Sequence, residues 1–437
     1  RGTGLRPVFS SSRILTIVVD TDSLHEDDKV RFQKKKISGL VALIAAVFQG
    51  AAPAHAQTGT VGTSVQEVVI TASYSGGLKK SLDIKRQAGS IADAVIADDI
   101  GKLPAVNVAE ALQRVPGVTI NREAGEGQFV SVRGLGPNFQ SVTFNGSPIA
   151  VNENVRNSDQ SGRQFRFQVI PADLIGGIVV TKSPTADLID GGIGSNLDLR
   201  TINPLQKESF ASASVYANFE EQAGTTSPNG SLSGGWRNAD ETFGVMAGVS
   251  YQEREVRFDR LQTFGYSNVT INKQNARMVS ELATTVEQET RERTSFLGGI
   301  EWRPFDNLNV SMDALYSKFD NTIAEDRIFY SFGGDKNSVA ALDPASVKIS
   351  DGIVTAANIM NGGKISRNAE FSAQEHDNSF INLSADLTLN DWNLVPSLSY
   401  SEANSNLPTP LQRIEGETIV TTGLNYGFDF GDDPVGG

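Results

Sequence analysis

Few side chains in these 437 residues are placed to make or break covalent bonds. Cysteine is absent, which removes thiol nucleophiles and thiolate metal ligands. The three histidines, His25, His55 and His376, are too scattered for a catalytic relay or a multi-histidine metal site. Adjacent acids at Asp98-Asp99, Glu220-Glu221 and Asp432-Asp433 point apart on extended chain or lie in loops, so none forms a general acid/base couple. Gly125-Glu126-Gly127 lacks the GxxxxGK[ST] run that cradles phosphate, and Asp429 to Asp433 lacks the spaced ligands of a calcium loop. A net charge of −13 disfavours nucleic acid as a partner. The chain is therefore expected not to be an enzyme, with no catalytic residue, no metal ligand and no cofactor. Non-covalent recognition remains. The segment Val65, Gln66, Glu67, Val68, Val69, Ile70, Thr71, Ala72 is β-prone and flanked by Gly59, Gly62, Gly76 and Gly77. A mobile strand of this type suits capture by strand addition, in which main-chain hydrogen bonds supply the affinity. It suits equally well the first strand of the domain that follows.

That domain spans residues 81–205. Val108, Ala109, Ala111, Leu112 and Val115 carry the spacing of a short amphipathic helix, which Pro116-Gly117 stops. Residues 118–121, 129–133 and 141–144 alternate apolar with polar between Gly- and Asn-rich turns, as strands do. Arg133-Gly134 and Asn145-Gly146 mark tight turns, Asn-Gly being a strong hairpin signal. Their role is expected to be structural, with Arg133 pairing acidic groups. Ahead of this domain, the basic run around Lys34-Lys35-Lys36, the apolar run 37–48 and Ala54-His55-Ala56 fit a cleaved signal peptide over residues 30–56. The apolar run is shorter than the ~20 residues a spanning helix needs. Residues 1–29 are expected to precede the native start, and residues 57–80 to hold the β-prone segment and a linker.

From residue 206 to 437 a two-residue period takes over. Ile381, Leu383, Ala385, Leu387 and Leu389 alternate with Asn382, Ser384, Asp386 and Thr388; Leu308, Val310, Met312, Ala314 and Tyr316 alternate with Asn309, Ser311 and Asp313; Phe243 to Tyr251 behaves likewise. Segments of ~10 such residues are the mark of a transmembrane β-barrel. Trp236, Trp302 and Trp392 sit beside short turns, and Tyr251, Tyr316 and Tyr400 at the opposite strand ends, as two interfacial girdles require. About seven strands are expected, near 209–219, 230–237, 243–252, 292–302, 308–318, 379–389 and 392–401. Residues 253–292 and 320–378 are expected to be long polar loops.

The order DIGKLPAVNVAEALQRVPGV, VSVRG, FNG and KSPTADL…GGIGSNLDLRT, over about 66–204, resembles the plug domain of TonB-dependent outer-membrane receptors. Ser195-Asn196 departs from the family's Gly-rich close. The resemblance implies an α/β plug followed by a transmembrane antiparallel β-barrel, here incomplete, about the first seven of some 22 strands. It makes Val65–Ala72 the TonB box, read by the energy-transducing TonB protein on the periplasmic side. It also implies a monomer in outer-membrane lipid, importing a small-molecule or oligosaccharide ligand. The opening motif of the plug favours the oligosaccharide; an iron chelate is the alternative, and a passive surface-binding barrel the reading from another class. Substrate contact is expected from apical plug loops at 122–128, 136–140 and 152–160, with Arg122, Glu126, Asn138, Asn152 and Arg156 as candidates.

Overall fold

The computed structural model describes residues 13–16, 71–96, 107–152, 162–183, 185–186, 188, 190–332, 342–406 and 414–431. Val65 to Ile70, the expected signal peptide and Arg156 lie outside the described residues. From Ser73 onward, together with residues 13–16, the described chain forms one compact unit.

A four-residue strand β1 (Arg13–Thr16) comes first, then helix α1 (Thr71–Gln87). Thr71 and Ala72, expected on an extended segment, open this helix instead, and residues 71–80 are helical rather than linker. The first turn of α1 holds no acid; Lys85 and Arg86 in its last turn complement its dipole. The plug continues with β2 (Ala92–Ile96), α2 (Val108–Leu112), β3 (Val118–Glu123), β4 (Glu126–Val132), β5 (Gln140–Phe144), β6 (Ser147–Pro148), β7 (Gly177–Thr181) and β8 (Ser195–Arg200). Asn107 starts α2: its Oδ1 accepts the Glu110 amide at 3.2 Å, filling a first-turn N–H that the helix cannot satisfy itself. The β3–β4 hairpin turns at Ala124 (φ 48°) and Gly125 (φ 77°), the left-handed pair that matches strand twist. A second sheet runs β2-β7-β8-β5-β6, with β5 and β8 parallel and the other neighbours antiparallel.

The large sheet carries the rest. Its main strands are β9 (Phe210–Glu220), β10 (Thr225–Arg237), β11 (Phe243–Thr263), β14 (Glu281–Phe305), β15 (Leu308–Ser331) and β17 (Ile353–Leu389), each antiparallel to the next. The lower half of β17 pairs with β18 (Trp392–Leu394) and β19 (Ser397–Asn406), the upper half with β20 (Ile414–Asp429). Hairpin β12 (Tyr266–Ile271) and β13 (Gln274–Val279), with β16 (Lys348–Ser350), completes it. Two expectations are thereby corrected. The sheet has thirteen strands among the described residues rather than about seven. The supposed loops at 253–292 and 320–378 are largely continuous strand: β11 and β14 stay paired out to Thr263↔Leu282, and β15 and β17 to Ser331↔Lys364. Their polar composition reflects strand with both faces off the apolar band, not absence of strand. β1, from residues expected to precede the native start, pairs with the otherwise open edge of β9.

Burial follows the alternation. Along β14 the odd positions from 283 to 301 are buried and most even ones are not. The outward side bears Phe296, Ile300, Trp302, Met312, Tyr316, Ile381 and Leu383, all exposed. From the level of Tyr251, opposite Thr294, to that of Trp302 the strand spans nine residues counted inclusively, close to the ~9–11 a tilted membrane strand needs. Beyond that level outward positions turn polar, as in Gln288 and Glu292. The inward side packs on the plug: Met246, Leu297, Leu315, Phe319 and Phe380 join Val108, Leu112, Phe144, Phe167, Ile170, Leu174, Ile178, Leu197 and Leu199 in one buried cluster. Each such side chain contributes about 1.5–3 kcal/mol of burial. A second cluster, with Met278, Val279, Phe332, Val354, Ile359 and Phe428, ties the outer strand ends together.

Candidate functional site

The plug meets the wall through a buried charge network centred on Glu126. The sharp β3–β4 turn delivers this residue from the first position of β4, where it is 3% exposed. Its Oε1 accepts from Arg293 Nη2 at 2.8 Å and from Asn107 Nδ2 at 2.9 Å; its Oε2 faces Arg291 Nη1 at 3.0 Å. Arg291 and Arg293 stand two apart on β14, so the pleat turns both inward. Arg291 also pairs with Glu289 at 2.6 Å and donates to the Glu123 carbonyl at 3.3 Å. Arg293 donates to Gln252 and lies 5.3 Å over the Phe319 ring. Nearby on β9 and β11, Glu220 pairs with Arg254 at 2.5 Å.

Burial pushes the Glu126 carboxyl up, but the charges of Arg293, Arg291 and Arg254 overcome that and hold its pKa down at about 2. The carboxylate is thus better accommodated here than in water. One step along the wall, Asp173 accepts from Ser250 at 3.3 Å and Gln252 at 3.2 Å. Its burial raises its pKa despite those bonds. A small cavity lined by Glu126, Asn229, Gln252, Arg254 and Arg291 adjoins the network.

The other expected residues are distributed. Arg122 Nη2 binds Glu110 Oε2 at 2.8 Å and Gln113 Oε1 at 2.9 Å, bracing the hairpin on α2. Asn152 is buried, its Nδ2 donating to the Asn404 carbonyl at 2.9 Å. Asn138 is exposed in the middle of the turn Pro137–Phe139. So Glu126 and Asn152 face the wall, whereas Arg122 and Asn138 are exposed to solvent. Arg133 (φ 53°) and Gly134 (φ 77°) form a left-handed turn; Arg133 Nη1 donates to the Lys182 carbonyl at 3.1 Å rather than to an acid. Asn145 (φ 48°) and Gly146 (φ 79°) form another. Asn145 exchanges side-chain bonds with Thr201 at 3.0 and 3.1 Å, and the Gly146 amide donates to Asp198 at 2.7 Å. Ser195-Asn196 is seated in β8, with Ser195 on Gln140 and Asn196 on Ser141.

Sequence reading missed Arg291, Arg293, Glu289 and Asp173. The odd spacing of Glu289, Arg291 and Arg293 continues the inward phase of Ser295, Leu297 and Gly299. Following that phase past residue 292 would have found them.

Comparison with known proteins finds a family match over the plug segment. The TonB-dependent receptor plug domain model matches residues 84–195. The chain is 26% identical over 215 residues to the ferrienterobactin receptor of Escherichia coli K12, covering 46% of this chain and 27% of that one. It is 26% identical over 135 residues to the ferric enterobactin receptor of Pseudomonas aeruginosa, covering 29% and 18%. The crystal structure of the siderophore receptor PirA from Acinetobacter baumannii is 15% identical with a TM-score of 0.33, over 74% of this chain and 58% of that one. For the ferric citrate transporter FecA the values are 12%, 0.35, 77% and 60%. The chain spans less than a third of the length of these curated relatives. The segment that matches the TonB-dependent receptor plug domain, residues 84–195, is the one that carries the ordered plug motifs.

Proposed function

We propose that the chain is the plug and adjoining wall of an outer-membrane receptor that imports a ligand with energy drawn from TonB. The observation carrying this reading is the two-faced wall. Its outward side is an apolar band flanked by aromatics, and its inward side is closed by a plug held through the Glu126 network. A sheet with that division fits lipid outside and an obstructed lumen inside. Signal-directed export and an outer-membrane location follow from the same reading.

Val65–Ala72 is the segment TonB takes by strand addition. Its last two residues, Thr71 and Ala72, open α1, whose Lys85 holds Asp93 at 2.6 Å on β2. β2 is an edge strand, paired only with β7 through five residue pairs. Tension from the TonB side thus reaches the plug at an edge strand of its five-stranded sheet. Ligand binding favours the pulled state only through a difference in affinity between the two plug states.

The ligand is a ferric chelate. The curated relatives at 23–28% identity bear names of siderophore receptors, which supports the iron-chelate alternative over the oligosaccharide favoured by the plug's opening motif. Titrating the full-length receptor in detergent with ferric catecholates and with a panel of oligosaccharides tests this. Saturable binding of a ferric chelate alone is expected; binding of an oligosaccharide alone overturns it.

A further inference from the structure

The plug's two flanks are held by different chemistry. Against β10, β11 and β14 it is fastened by Glu126 to Arg291 and Arg293, and by Asp173 to Ser250 and Gln252. Against β15, β17 and β19 the bonds are neutral apart from one, in which Thr201 Oγ1 donates to Asp313 Oδ1 on β15 at 3.0 Å. The Ala150 amide donates to Ser401 Oγ at 2.8 Å, Ser147 Oγ to Asn382 Oδ1 at 3.1 Å, and Asn378 Nδ2 to the Ala150 carbonyl at 3.4 Å; Ser317 Oγ donates to the Val169 carbonyl.

This second flank also carries a stripe of polar atoms sealed from solvent with no hydrogen-bond partner in the protein. They are Asn321 Oδ1, Ser372 Oγ, His376 Nε2 and Asn378 Oδ1 on the wall, and Gln168 Nε2 on the plug. The wall members form one inward patch. Ser372, His376 and Asn378 share the even phase of β17, and Asn321 on β15 pairs with Gln374 between them. The nearby rings of Phe319 and His376 stack at 6.0 Å without supplying a partner to Nε2. On the first flank such atoms are Thr225 Oγ1 and Gln262 Oε1, at the ends of β10 and β11, and Arg293 Nε, which belongs to a guanidinium whose other nitrogens are bonded.

We propose that the plug parts from the wall first along β15 and β17, staying pinned to β10, β11 and β14, so that the passage opens beside the Ser372–His376–Asn378 stripe. The free energies favour that order. Each buried, unpartnered polar group carries a desolvation cost, and water recovers it once the flank separates. Separating the other flank exposes ions that the site holds better than water does, as the depressed Glu126 pKa shows. Neutral hydrogen bonds are also about half as strong as charge-assisted ones. The inference rests on the reading of a movable plug, but its test uses neither TonB nor ligand, so its failure is distinguishable from failure of the import scheme.

These 437 residues contain no cysteine, so a single introduced thiol reports one place. Ser372→Cys reports the stripe. Ser233→Cys, 5% exposed on β10 beside the Gly248 that Leu174 covers, reports the pinned flank. The full-length receptor in detergent is alkylated with a maleimide across urea concentrations below global unfolding. The expected result is Ser372→Cys reacting at least ~10-fold faster than Ser233→Cys, a gap of ~1.4 kcal/mol in opening free energy. Adding His376→Phe, which removes one unpartnered atom, is expected to slow the Ser372→Cys reaction. Equal rates, or faster reaction at Ser233→Cys, would overturn the proposal. The two single-thiol variants are compared directly, so that outcome does not depend on His376→Phe folding.

Discussion

Replacing Glu126 by glutamine keeps the shape of the β3–β4 tip and removes its charge, leaving Arg291 and Arg293 to share a neutral amide. The wild-type carboxyl sits at about pKa 2 against an ordinary value of 4.5. A depression of that size corresponds to about 3 kcal/mol of stability carried by the ionised form. Loss of one partner from a buried pair costs about 3–5 kcal/mol by independent measure, so the two figures agree in scale. Because the folded pKa lies below the unfolded one, this stability is complete above pH 4.5. It is lost as the pH falls from about 4.5 toward 2. Hydrogen exchange on the full-length receptor, corrected for intrinsic rates, reads the effect in peptides covering residues 118–132. Near pH 7, Glu126→Gln is expected to lower protection there by about two orders of magnitude, the equivalent of ~3 kcal/mol. Wild-type protection should fall between pH 4.5 and 2, while the variant's should stay flat across that window. Protection unchanged within about threefold, or the same acid dependence in both proteins, would refute the clamp.

Three further outcomes are expected. Asn145→Ala places a Cβ-bearing residue without a bonding side chain at φ 48° and severs both bonds to Thr201; it should destabilise the plug by about 1–2 kcal/mol, with Asn145→Gly milder, as seen in urea titrations. Ile300→Arg, on the exposed apolar side of β14, should cost about 2–4 kcal/mol when the full-length protein is refolded into vesicles, whereas Thr290→Arg, above the band, should be near neutral. Lys182→Met removes a buried ammonium that joins Asp93 to the Pro116 carbonyl at 2.6 Å; exchange of residues 92–96 should accelerate about tenfold or more, on the ~1.5–3 kcal/mol scale of charged hydrogen bonds.

How far the sequence could be read depended on whether local pattern or distant partners decided each feature. Helix α2 and strands β3, β4 and β5 were legible because Asn107, Pro116-Gly117 and the positive-φ pairs act within a few residues. The outward side of the wall was legible because a strand's period is two and Trp302 and Tyr316 mark its ends. The outer halves of β11, β14, β15 and β17 were not. With both faces polar they lose the apolar alternation that announces a strand, and their stability comes from cross-strand pairing and the Met278–Phe332–Val354 cluster. Glu126 looked like a loop acid because its partners lie 165 and 167 residues away. Arg133 looked like an ion-pairing residue because sequence does not reveal that its guanidinium meets the Lys182 carbonyl. Thr71 and Ala72 read as strand from their β-prone neighbours, yet they fall in the first turn of α1.

The most direct measurement is uptake of a ⁵⁵Fe-labelled ferric catecholate by TonB-competent cells expressing the full-length receptor, as wild type and as Val69→Pro. Proline at 69 removes a main-chain donor from the strand that TonB must pair with. Wild-type cells should accumulate iron, and Val69→Pro cells should bind the chelate at the surface with unchanged affinity yet accumulate none. Accumulation by Val69→Pro at the wild-type rate would contradict an energised, plug-gated importer.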